Sequence, residues 1–98
     1  MKSEDYRDSL LKRLKNTDYA VGYLTDVLAN ESQEAFLIAL RDVIDARDEN
    51  FSDLSEKSGV TRQGLYQALS GAGNPRLSTV TQLLSSLGMQ ISISRREA

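Results

Sequence analysis

Arg62, Gln63, Tyr66 and Gln67 are the residues of this 98-residue chain best equipped for chemistry, and that chemistry is recognition rather than bond making. A guanidinium offers a planar fork to guanine O6 and N7, a glutamine pairs with adenine N6 and N7, and a tyrosine reaches a phosphate or a thymine methyl. Helical spacing puts Gln63, Tyr66, Gln67 and Ser70 opposite Leu65, Ala68 and Leu69, with Arg62 at the margin. The apolar set reads as core and the polar set as an outward face. No acid lies among the polar residues, and such a face suits a helix that enters the major groove of double-stranded DNA.

Composition argues against catalysis. Histidine and cysteine are both absent, so there is no imidazole base or ligand and no thiolate. The Ser, Asp and Glu residues are spaced as helix caps and solvent faces, so neither an enzyme nor a metal or cofactor site is expected. With 40% apolar residues the chain can build one modest core. No apolar run approaches the roughly 20 residues needed to span a bilayer, and the N-terminus lacks a secretory pattern, so no membrane partner and a cytoplasmic location are expected. Charge is uneven: residues 1–50 carry eleven acids and seven bases, residues 51–98 three acids and five bases. The second half is thus suited to approach phosphates, and the first to meet solvent or a basic partner.

The elements that hold the polar face follow from turn residues. Gly59 admits a positive φ and ends a short helix that carries Leu54, with Ser52 as its expected cap and Phe51 folded back as a staple. Thr61 caps the next helix, which runs to about Ser70. The segment GAGNPR cannot continue a helix: Gly71 is the expected terminator, and Pro75 stiffens the exit. Asn74 and Arg76, just beyond, are placed to meet the sugar-phosphate backbone, although Asn74 equally suits a plain turn. Ser78 is the expected cap of a last helix with Val80, Leu83, Leu84 and Leu87 on one side, stopped by Gly88. Met89, Ile91 and Ile93 then alternate with Gln90, Ser92 and Ser94, a period of two that predicts a short strand, paired with its counterpart in a second subunit, or else a frayed tail.

Upstream, Ser3 is the expected cap of a helix with Tyr6, Leu10, Leu11 and Leu14 on one side. Asn16, Thr17 and Asp18 break it, and Ala20, Leu24, Val27 and Leu28 mark a second helix ending near Asn30. Residues 33–47, capped by Ser32, give the strongest helical period, with Phe36, Leu37, Leu40, Val43 and Ile44 inward and Arg41, Asp42, Asp45 and Asp48 outward. This helix is the expected beam against which the later pair packs, and Asp48, Glu49 and Asn50 lead out of it as a polar loop.

Three stretches, YRDSLLKRLKNTDYAVGYLTDVLANES, AFLIALRDVIDAR and GVTRQGLYQALSGAGNPRLSTVTQLLSSLGM, resemble the probable addiction-module antidote proteins, HigA-like antitoxins within the Xre/Cro helix-turn-helix group. Tyr66 and Leu69 with Gly73, Asn74 and Pro75, then Leu77 and Ser78, make the most specific part of the likeness. It implies an all-α, lambda-repressor-like helix-turn-helix core over residues 33–88, with a helical extension over 1–32 and a short C-terminal β-strand within 89–98. It further implies a homodimeric repressor of its own operator DNA that masks a small basic RelE/HigB-like toxin. The recognition positions fall on Thr61, Arg62, Gln63, Tyr66 and Gln67. Gly64 departs from the family pattern, where a small residue with a Cβ is usual, as does Ser55, where alanine is common. Joined to the acidic charge of the first half, the likeness suggests Tyr6, Tyr19 and Tyr23 as toxin anchors, unless the first two helices only thicken the core. A protein-binding scaffold that never meets DNA is the competing reading.

Overall fold

A computed structural model describes residues 4–47, 51–70 and 72–96 of the chain. The described residues form α1 (Glu4–Leu14), α2 (Thr17–Asn30), α3 (Gln33–Ala46), α4 (Phe51–Ser58), α5 (Arg62–Ala68) and α6 (Leu77–Ser86). The Ser3 cap, the Asp48–Asn50 loop, the Phe51 staple and the Gly71 terminator lie outside the described residues and side chains.

Local chemistry accounts for most boundaries. Leu10 and Leu14 of α1 are buried, and Tyr6, one turn earlier, is half exposed. The Asn16 side chain accepts a hydrogen bond from the Tyr19 N–H at 2.9 Å, which makes it the N-cap of α2. The break after α1 is therefore shorter than expected, and Thr17 and Asp18 already belong to the next helix. Ser32 caps α3 as expected, its hydroxyl accepting from the Ala35 N–H at 3.1 Å. Two other expected caps are corrected, since Ser52 and Ser78 both lie inside their helices, and Arg76 occupies the N-cap position of α6 without a side-chain cap bond. α5 also stops earlier than expected, at Ala68, with Leu69 as its C-cap.

Phe36, Leu37, Leu40, Val43 and Ile44 of α3 are all buried, and each contributes on the order of 1.5–3 kcal/mol by leaving water. The same helix corrects two expectations. Asp42, expected outward, is buried at 7% exposure because α1 lies over that side of α3. α3 packs closely on α1 and α2, while α4 is the element that packs on both α5 and α6. One buried cluster nevertheless joins both groups, running from Leu10 and Leu14 through Leu40 and Ile44 to Leu54, Leu65 and Leu84.

The C-terminal β-strand is not formed, since no strand occurs among the described residues. Gly88, at φ 79°, instead closes α6 with two bonds: its own N–H to the Ser85 carbonyl at 2.9 Å, and that of Met89 to the Leu84 carbonyl at 2.8 Å. Met89 packs half-buried on the core, whereas Ile93 is 97% exposed. The alternation predicted a strand because side chains alternate in any extended segment, but a ladder needs a partner backbone, and none of the described residues supplies one.

Candidate functional site

α5 and its flanking turns are held by side chains that satisfy backbone groups. The Thr61 hydroxyl accepts from the Gly64 N–H at 3.0 Å and so caps α5. In the preceding turn Gly59 takes φ 76°, and both polar backbone groups of Val60 find partners. The Ser55 hydroxyl donates to the Val60 carbonyl, and the Ser58 hydroxyl accepts from the Val60 N–H at 3.2 Å. Ser55, which departs from the alanine of the resembled pattern, thus fixes the turn.

On this frame Arg62, Gln63, Tyr66 and Gln67 are all exposed, while Leu65 and Ala68 are buried. Arg62 is steadied twice: Nη1 donates to Ser52 Oγ at 3.0 Å, and the guanidinium lies 5.8 Å from the centre of the Tyr66 ring. No acid occurs within α5. Gln67, Ser70 and Asn74 are brought together along one cleft at the C-terminal end of α5, whereas Gln63 does not line it and Arg76 stands exposed at the start of α6.

That cleft depends on two contacts that sequence reading missed. Gln33 Nε2, at the start of α3, donates to Asn74 Oδ1 at 3.3 Å, a bond across 41 positions with no local signature. At Gly73 a Cβ would stand 2.4 Å from the Gln67 carbonyl oxygen and 2.8 Å from that of Ala68, so only glycine lets the loop pass so close to the end of α5. At Gly64 a Cβ would meet Thr61 Oγ1 at 3.0 Å and Val60 Cγ1 at 3.2 Å, so a side chain there needs its neighbours to give way.

The tyrosines of the first two helices divide. Tyr6 and Tyr23 line a groove formed by α1, α2 and α3, and Tyr19 instead faces Arg13, whose guanidinium lies 5.6 Å from its ring centre. Burial raises the Tyr23 phenol above the ordinary tyrosine range, helped by the negative charge of Asp42 and by the neighbouring Tyr6 and Tyr19. Asp42 itself is held by Arg7, with Nη1 2.6 Å from Asp42 Oδ1 and Nη2 2.8 Å from Asp45 Oδ2. The two carboxylates keep the Arg7 guanidinium protonated beyond its ordinary range, the Asp42 hydrogen bond being the largest cause.

Among the described residues no group of His, Cys, Asp or Glu is placed to hold a metal ion, and no helix is long and apolar enough to cross a membrane. No solved structure matches the chain. A protein of Haemophilus influenzae, described there only as an uncharacterized protein, is 38% identical over 73 residues, covering 74% of this chain and 73% of that protein. A family model described as "Probable addiction module antidote protein" matches residues 6–95, nearly the whole chain. The chain therefore belongs to the probable addiction module antidote proteins, the non-catalytic antitoxin half of a toxin-antitoxin pair.

Proposed function

We propose that this antidote is also a sequence-specific DNA-binding autoregulator of the HigA-like, Xre/Cro kind. It binds the operator of its own operon as a homodimer and masks a RelE/HigB-like toxin. The observation that carries the reading is the α5 surface, where Arg62, Gln63, Tyr66 and Gln67 stand exposed, free of acids, on a helix capped by Thr61 and braced by Ser52. In this reading α4 and α5 form a lambda-repressor-like helix-turn-helix, α5 enters the major groove, and Gln63 and Gln67 read base edges. Thr61, Ser70, Asn74 and Arg76 meet the backbone and set the docking angle. Two copies present their α5 helices roughly 34 Å apart, one turn of B-DNA.

The overall charge of −2 favours a second reading, a helical module that holds only a protein partner. A titration with double-stranded DNA from immediately upstream of the gene, run beside random DNA of equal length, separates the two. Tighter binding to the upstream DNA supports the autoregulator. Equal, weak binding to both leaves the protein-only module.

A further inference from the structure

The groove between α1, α2 and α3 has a chemistry that the DNA-reading face lacks. Its walls combine Tyr6, Tyr23 and Ile38 with the carboxylates of Asp26, Glu31 and Asp42. Tyr6 and Ile38 are about half exposed, at 51% and 48%, so much of the apolar wall faces water. Of the three carboxylates only Asp42 is neutralised, by Arg7. Asp26 accepts a hydrogen bond from the Asn30 side-chain amide at 2.9 Å, but among the described residues no cation pairs with it or with Glu31. An apolar wall beside unneutralised carboxylates matches a side chain with an aliphatic stem and a cationic head, which buries the stem and keeps the charge at the rim. The groove already accommodates one such group, since Arg7 lines it with its guanidinium on Asp42.

We propose that the α1–α2–α3 groove receives an arginine- or lysine-bearing segment of the partner toxin, its cation at Asp26 and Glu31 and its stem along Tyr6, Tyr23 and Ile38. The sign of the charge excludes nucleic acid here and divides the molecule into a DNA face at α5 and a protein face at α1–α3. Tyr19, outside the groove, takes no part. The inference rests on the toxin-masking reading and adds to it the surface and the chemistry of the partner.

The test uses the full chain and the product of the adjoining gene, purified separately, in calorimetric titrations at low and moderate salt. Asp26→Asn combined with Glu31→Gln keeps the groove's shape and removes two charges. The expected result is a loss of affinity of about tenfold and a shallower salt dependence, with upstream-DNA binding unchanged and Tyr19→Ala within about twofold of the wild type. Ile38→Asn, on the same wall, should weaken binding without a matching change in salt dependence. If the double variant and Ile38→Asn both bind that protein as tightly as the wild type does, the groove assignment is wrong and toxin binding stands elsewhere. If the double variant instead loses self-association in sedimentation and keeps its toxin affinity, a second copy of this chain fills the groove and the proposal fails. A wild-type chain that does not bind the neighbouring product removes the toxin reading itself, and the groove proposal with it.

Discussion

Arg62 Nη1 donates to Ser52 Oγ at 3.0 Å, so the first helix of the α4–α5 pair sets the direction of the guanidinium on the second. That bond uses one of the five guanidinium donors and leaves the others for a ligand. Ser52→Ala should release the side chain and weaken upstream-DNA binding by about 0.5–1.5 kcal/mol, the net worth of one hydrogen bond, without altering which bases Gln63 and Gln67 prefer. Competition titrations against single-base operator variants measure both quantities, and a changed base preference would assign Ser52 a direct reading role.

Gln63→Ala and Gln67→Ala should each cost about 1–3 kcal/mol on the cognate site and little on random DNA, because a bidentate base contact is lost. Arg76→Ala should weaken binding to every sequence and reduce the salt dependence by up to about one unit. Equal losses on cognate and random DNA for both glutamine variants would defeat the base-reading assignment.

Arg7→Ala leaves Asp42 buried without its cation. With the Arg7 side chain 48% exposed the cost is moderated by solvent, and about 1–2 kcal/mol of stability is expected. Asp42→Ala in the same background should recover part of that loss. Urea denaturation of the two single variants and the double variant gives the coupling energy, and strictly additive losses would show that the pair contributes nothing.

The two glycines should respond differently to alanine. Gly73→Ala places a methyl against backbone carbonyls that cannot move without opening the end of α5, and about 2–3 kcal/mol should be lost. At Gly64 the helix-propensity gain of about 1 kcal/mol is opposed by crowding against Thr61 and Val60, so the net change should be near zero. Thermal melts check both, and a clear gain at position 64 would mean that Val60 yields freely.

Much of this fold is legible in the sequence because its determinants are local. Ser32, Gly59, Thr61 and Gly88 act within one turn of where they stand, and the inward leucines of α3 and α5 obey the helical period. The exposure of Arg62, Gln63, Tyr66 and Gln67 is legible for the same reason. What escapes is whatever depends on a second element. A helical wheel assigns Asp42 to the polar side of α3, but it cannot know that α1 brings Arg7 across that side. Arg7 stands three residues before buried Leu10, a spacing that hints at its inward reach. The Gln33 to Asn74 bond and the close approach at Gly73 are likewise set by where α3 and the loop end up, and the tail's alternation carries no information about a ladder partner. Nor are α1 and α2 separable cover: removing them takes Leu10, Leu14, Ala20 and Leu24 out of the core.

Leu10 and Leu14 share one buried cluster with Leu65 and Leu84, so the α1–α3 groove and the α5 surface rest on a common core. A partner that binds only the folded chain, present at about a hundred times its Kd, adds about 2.7 kcal/mol to global stability. On the proposed reading, toxin held at α1–α3 would therefore stabilise the α5 surface together with its own, since both rest on that cluster.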